Sequence, residues 1–238
     1  MVRLLKNIIR KFALKPYKAI LKYFAYKKIE KLNKKDDSFL KLQVDRFFEH
    51  LKLDNSLIHT KNIIPEIEKV MDFNGKDINI LLIGPCNHYE VDAFEILNNK
   101  KSGGGDIKIY AIDLVSTDKR ITVMDMHNLE YEDNFFDLIY SSGVIHCSNN
   151  PKQLGKELFR VIKNKGIVAI GVTIGLDPMD KHYVTDYKDV SGIIDIFPKP
   201  KPTVLYTNIE QPNSLKNPHS NEYLKCILKF EGEKNGNA

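Results

Sequence analysis

The sequence holds only three cysteines, Cys86, Cys147 and Cys226, far apart and odd in number. They make no CxxC pair and no Cys/His ligand spacing. That excludes a disulfide framework, argues against a structural metal, and makes a reducing, cytoplasmic location the expectation. No apolar run is long enough to cross a bilayer or to form a signal-peptide core. Glycine is scarce where a nucleotide loop would need it. The stretch "INILLIGPCNHYE" (78–90) ends an apolar run on one glycine, Gly84, with no G-x-G-x-x-G behind it. A phosphate cradle needs several glycines so that main-chain N–H groups converge on the anion, so a nicotinamide-dependent enzyme is disfavoured. Acid is nearly absent from residues 1–35, where Glu30 stands against ten Lys and two Arg, a charge of +11. The whole chain carries +5, which leaves −6 on the other 203 residues. The basicity is local, and a general nucleic-acid surface is a poor reading of it.

What is present suits one α/β domain with an appendage: 238 residues and a hydrophobic fraction of 42%. In "MVRLLKNIIRKFALKP", Leu5, Ile8, Ile9 and Phe12 recur at helical spacing until Pro16 ends the pattern. A second basic helix is expected from Tyr17 to Leu32. Residues 1–35 thus read as an amphipathic arm. Its occupant is either an anionic inner membrane leaflet, which makes the protein peripheral on that face, or the protein's own core. Residues 36–75 read as a helical lead-in. Asp37 or Ser38 caps a helix with Leu40, Val44, Phe47, Phe48 and Leu51 on its apolar face, and Pro65 opens a short helix that Asn74-Gly75 ends.

From Ile78 to the end, residues 76–238, short apolar runs alternate with polar turns. Strands are expected near 78–83, 107–112, 121–124, 136–141 and 166–172, with helices after the first and fourth. That pattern implies a parallel sheet covered on both faces. The connections Asp113 to Ile121 and Met124 to Phe136 are too short for full crossover helices, so the lead-in helices are expected to cover the face left bare.

The segment from "IYAIDLVSTDKRITVMDMHNLEYEDNFFDLIYSSGVIHCSNNPKQLGKELFRVIKNKGIVAIGV" resembles the middle of a class I S-adenosylmethionine-dependent methyltransferase. Within that class it is similar to the small-molecule, type 11-like group, through Asp113, Asp125, "LEYEDNFFD", His146, Glu157 and "RVIKNKG". The resemblance runs in unbroken order over about 76–175. It implies a Rossmann-like seven-stranded sheet of order 3-2-1-4-5-7-6 with strand 7 antiparallel. "PTVLYTNI" and "YLKCILKF" would be strands 6 and 7.

The resemblance also implies S-adenosylmethionine as cofactor and a small-molecule acceptor, a sugar or surface-glycan precursor among the candidates. Cofactor contacts are expected from Gly84, Pro85, Cys86, Asn87, Glu90, Asp113, Leu114, Asp125, Met126, Ser141 and Ser142. Asp113 would hold the ribose hydroxyls, with a turn cap as the alternative. Asp125 would face the adenine amino group, with Met126 against the ring. Asp137 is expected at the amino end of its strand, in a structural role. His146 and His127 are the candidate bases for an alcohol acceptor, each with a packed or exposed loop histidine as the alternative. Cys86 and Cys147 are expected to be small apolar fillers.

One departure stands out. Leu82 occupies the place where the family carries an acid, and Cys86 and His88 occupy the later glycine places. Asn87 and Glu90 are the polar groups on hand to meet the cofactor's carboxylate and ammonium. A second reading follows from the same loop: a methyltransferase-like adaptor without catalysis, recruited by its basic arm.

Overall fold

The computed structural model of the chain describes residues 55–85, 88–100, 104–116, 118–175, 184–211 and 222–231. The basic arm and the helix expected around 38–51 lie outside the described residues. A seven-stranded sheet forms the centre, in the order β3-β2-β1-β4-β5-β7-β6. Its strands are β1 (Ile78–Ile83), β2 (Ile107–Asp113), β3 (Ile121–Val123), β4 (Phe136–Ser142), β5 (Ile162–Thr173), β6 (Thr203–Glu210) and β7 (Tyr223–Lys229). The pairs β1–β2, β2–β3, β1–β4 and β4–β5 are parallel, while β7 runs antiparallel to both β5 and β6. This is the topology the resemblance implies.

Near-continuous apolar strands such as "INILLI" bury both faces of the sheet. On one face α1 (Asn55–Val70) and α2 (His88–Lys100) set Ile63, Ile67, Val91, Phe94 and Leu97 against Ile80, Leu82, Leu138, Tyr140, Ala169 and Ile227. On the other face α3 (Pro151–Val161) and α4 (Val190–Asp195) set Leu154, Leu158 and Ile193 against Leu81, Ile83, Ile139, Val168 and Leu228. Helix α3 starts where its sequence says it should. The Asn150 side chain accepts from Gln153 N, and Pro151 stands in the first turn, where its missing N–H costs nothing.

One expectation needs correction. Pro65 does not open a helix; α1 runs through it from Asn55 to Val70. Pro65 sits on the exposed side, while Ile63 and Ile67 on either flank are anchored in the core at 1% and 0% exposure. Tertiary burial thereby outweighs the lost helical hydrogen bond. Helix α1 packs on α2 and on β4 and β5 of the sheet.

The helix-free connection between β3 and β4 supplies its own cover. Tyr131, Phe135 and Phe136 gather with Tyr110 of β2 at centroid distances of 4.9 to 6.1 Å, mostly edge to face. Helix α3 ties the loop down. Arg160 donates to Leu129 O (2.8 Å), Tyr131 O (2.7 Å), Asp133 and Glu157, and Glu157 in turn accepts from Leu129 N at 2.8 Å. Those carboxylates hold the Arg160 guanidinium protonated, its pKa raised above its already high usual value. At the amino end of β4, Asp137 accepts from Asn79 N (2.9 Å) and Lys163 Nζ (2.7 Å), a structural post far from the strands' carboxyl ends.

Candidate active site

In a sheet of this order the crevice opens beyond the carboxyl ends of β1 and β4, where the connections leave in opposite directions. Gly84 ends β1 there with φ +70°, its N–H bonded to Ile112 O at 2.8 Å. A Cβ on Gly84 would stand 2.2 Å from Cγ2 of Val144. The sequence reading gave this missing side chain to the cofactor. In the structure its space is taken by Val144, so the loops after β1 and β4 close on one another. Gly143, which follows β4, also has φ +70°, but among the described residues nothing lies within 4 Å of where its Cβ would be. Among the described residues, Gly143 is therefore the less crowded of the two loop glycines. Pro85, next after Gly84, is buried, and Cys86 and Asn87 lie outside the described residues.

The two expected carboxylates stand at the ends of their strands. Asp113 closes β2; its Oδ1 accepts from Val115 N at 3.3 Å, and the half-buried Leu114 lies in that turn. Asp125 follows β3, and its Oδ1 accepts from His127 N at 2.9 Å and meets His127 Nδ1 at 2.7 Å. The turn-forming alternative is thus realised in both, through one oxygen each. Burial pushes the Asp125 carboxyl up, but the His127 ring, backbone and charge together outweigh it and leave its pKa below the usual value. Met126 is buried in the core cluster next to this turn.

His127 is held at both ring nitrogens. Its Nε2 meets Ser148 Oγ at 2.7 Å, opposite the Asp125 contact. Ser148 is fully buried and also accepts from Asn150 N, at 3.2 Å. The chain Asp125–His127–Ser148 therefore links the turn after β3 to the loop after β4. It has the order of a nucleophilic triad, but its hydroxyl is sealed inside and faces no open space. His146, in the 3-10 turn Ile145–Cys147, is 1% exposed, and its carbonyl accepts from Val184 N (2.9 Å) and Thr185 N (3.1 Å). It stands just past β4, as expected, but its side chain is buried and its carbonyl is tied to the backbone of residues 184 and 185.

Ser141 and Ser142 point to opposite faces, as neighbours in a strand must. Ser141 Oγ is buried with no hydrogen-bond partner. Ser142 Oγ bonds the hydroxyl of Tyr223, at the start of β7, at 2.6 Å. Tyr223 was not read from the sequence as a site residue; only the register of an antiparallel β7 brings it beside β4's end. The Tyr223 ring lies over Gly171, where a Cβ would come 2.6 Å from the hydroxyl oxygen, so only glycine permits this approach. Burial pushes the Tyr223 phenol well above its usual range, with Glu90 and Glu210 adding to the rise and Ser142 and Gly143 opposing it. Glu90, in the first turn of α2, is 1% exposed. Cys147 is a buried free thiol. Among the described residues no group of three or more His, Cys, Asp or Glu is placed to hold a metal ion.

Residues 83–170 match the family described as a methyltransferase domain. No curated protein matches the chain in sequence. Among solved structures, the chain is similar to the 1,6-didemethyltoxoflavin N1-methyltransferase of Burkholderia thailandensis, bound to its substrate and S-adenosylhomocysteine. The identity is 11%, the TM-score 0.59, and the match covers 81% of this chain and 87% of that one. An S-adenosylmethionine-dependent methyltransferase from Methanosarcina mazei matches at 14% identity and TM-score 0.51, over 71% and 98% of the two chains. The cyclase SpnF matches at 10% and TM-score 0.54, over 72% and 81%. At these identities the likenesses establish the fold; the family match over β1 to β5 narrows it. Together they show the fold shared by class I S-adenosylmethionine-dependent methyltransferases and, over residues 83–170, a match to the methyltransferase-domain family.

Proposed function

We propose that the protein transfers a methyl group to a hydroxyl or similar nucleophile of a small molecule, a sugar or surface-glycan precursor. The observation that carries this reading is the set of strand ends on one carboxyl edge of the parallel sheet: Asp113 closing β2, Asp125 just past β3, Gly84 after β1 and Gly143 after β4. The residues fit S-adenosylmethionine. Both carboxylates stand at the carboxyl edge of the sheet, Asp113 Oδ1 accepting from Val115 N and Asp125 Oδ1 engaged by His127. In this reading Asp113 accepts from the ribose hydroxyls and Asp125 from the adenine amino group. The single-glycine loop is no obstacle, because the cofactor carries no phosphate to cradle.

Bound there, the cofactor supplies the electrophilic methyl group, and the chain's task is to position the acceptor and exclude water. His127 is assigned to positioning, since Asp125 and Ser148 occupy both its nitrogens. His146 is the remaining candidate base; buried in this arrangement, it serves an acceptor only when the loop that carries it opens. Because this fold also houses a cyclase, activity has to be shown directly. The test is incubation with tritiated S-adenosylmethionine and sugar-nucleotide and lipid-linked sugar fractions. Label in a sugar product supports the reading; S-adenosylhomocysteine released only with non-sugar acceptors removes the sugar part of it.

The basic arm, +11 over residues 1–35, docks this enzyme on an anionic membrane surface in the same reading. No helix among the described residues is long and apolar enough to cross a membrane. Co-sedimentation with phosphatidylglycerol vesicles that persists after removal of residues 1–35 contradicts the arm's role. Vesicle binding with no methyl transfer to any fraction favours the adaptor reading instead.

A further inference from the structure

The hydrogen bonds around His127 form a chain whose direction is set at both ends. At one end the Asn150 N–H can only donate, and Ser148 Oγ accepts from it at 3.2 Å. At the other end the ionised Asp125 carboxylate can only accept, and its Oδ1 stands 2.7 Å from His127 Nδ1. Ser148 is fully buried, so its own proton needs an acceptor. The group left to it among the described residues is His127 Nε2, at 2.7 Å. The ring then accepts at Nε2 and donates at Nδ1, which is the neutral tautomer with its proton on Nδ1.

The chain begins where α3 begins. Asn150 caps that helix by accepting from Gln153 N at 3.2 Å, and Gln153 Nε2 donates to the His127 carbonyl at 3.2 Å. The start of α3 therefore holds His127 by its ring and by its backbone. Asp125 is gripped twice in turn, because Oδ1 also accepts from His127 N at 2.9 Å. The carboxylate cannot turn about its Cα–Cβ bond without losing both bonds.

We propose that Ser148 and His127 are positioning residues for purine recognition. The chain from Asn150 through Ser148 and His127 aims the Asp125 carboxylate at the exocyclic amino group of the cofactor's adenine, and so sets the preference for that base. The inference rests on the S-adenosylmethionine reading and deepens it; both residues act through Asp125. An acceptor held in place for an amino donor rejects a base with a carbonyl there, since two oxygens then face each other with no proton between them.

The test uses the full chain and calorimetry with two ligands. S-adenosylhomocysteine carries adenine; S-inosylhomocysteine carries hypoxanthine in its place. Wild type should bind the adenine ligand about tenfold or more tighter. Ser148→Ala removes the hydroxyl with little change in volume, and its thermal melt shows whether it folds. We expect its affinity for S-adenosylhomocysteine to fall about fivefold or more, with S-inosylhomocysteine within about twofold of wild type. A purely structural role moves both affinities alike. Equal losses, no loss, or a wild type that binds both ligands equally overturn the proposal. If Ser148→Ala does not fold, His127→Gln takes its place by the same criterion. Nitrogen NMR spectra of the unliganded protein, with the His127 signals assigned from His127→Gln, read the ring directly. They should show the proton on Nδ1 and a bare Nε2; a proton on Nε2 overturns the proposal whatever the affinities are. Wild-type protein that binds neither ligand defeats the cofactor reading, and this inference with it.

Discussion

Gly84→Ala is the sharpest perturbation of the β1–β4 junction. At φ +70° an alanine pays the left-handed penalty, about 1–2 kcal/mol. Its Cβ would also stand 2.2, 2.8 and 2.9 Å from Cγ2, Cγ1 and Cβ of Val144, which cannot be met without a shift of one loop. Overpacking of this kind costs about 1–3 kcal/mol. The expected loss is therefore about 2–5 kcal/mol, read as a lower midpoint in urea unfolding followed by circular dichroism. The double variant Gly84→Ala, Val144→Ala separates the two causes. Removing both Cγ atoms relieves the closest contacts and leaves the dihedral cost, so the cycle should show a favourable coupling of about 1–2 kcal/mol. A loss below about 1 kcal/mol in the single variant, or a coupling near zero, refutes the claim that Val144 rather than a ligand fills this space.

Gly171→Ala should push the Tyr223 ring off β5 and break its bond to Ser142; a wild-type melting temperature and unchanged S-adenosylhomocysteine affinity would contradict that. Arg160→Ala strips the donors from Leu129 O and Tyr131 O and should cost about 1–3 kcal/mol in urea unfolding, reduced by the partial exposure of the side chain. Burial pushes the Cys226 thiol and the Tyr187 phenol each up to about 12, from 9.0 and 10.0. Both then keep their protons longer in the folded state than in the unfolded chain. Their contribution is complete below pH 9 and falls between pH 9 and 12, by up to about 1.4 kcal/mol per pH unit for each titrating group. Urea midpoints that stay level from pH 8 to 11 would count against this. Native Cys226 should likewise resist a thiol reagent that labels it in denaturant.

The strands and their order were legible because each is a short apolar run between polar turns, and because Asp113, Asp125 and "RVIKNKG" fall where the family puts them. Asp137 was legible too, as a polar residue opening a strand. Helix α1 was misread because Pro65 is a local stop signal, and the burial of Ile63 and Ile67 that overrides it is a tertiary fact. The β3–β4 connection also carries an aromatic group of its own, Tyr131, Phe135 and Phe136. Their aromatic spacing had no helical period to announce it. The two histidines looked alike in sequence. One proved clamped between Asp125 and Ser148, the other buried with its carbonyl bonded to the backbone of residues 184 and 185, and neither contact is sequence-local at its far end. Tyr223 was invisible for the same reason. It lies 81 positions from Ser142 in the chain and reaches it only through the antiparallel return of β7.

The central claim is that the crevice beyond the carboxyl ends of β1 and β4 binds S-adenosylmethionine through the acid that ends β2. Calorimetry of S-adenosylhomocysteine with wild-type protein and with Asp113→Asn tests it most directly. The account predicts saturable one-site binding to wild type, weakened about tenfold or more in the variant at equal fold stability. No heat at millimolar ligand, or equal affinity in both proteins, would contradict it.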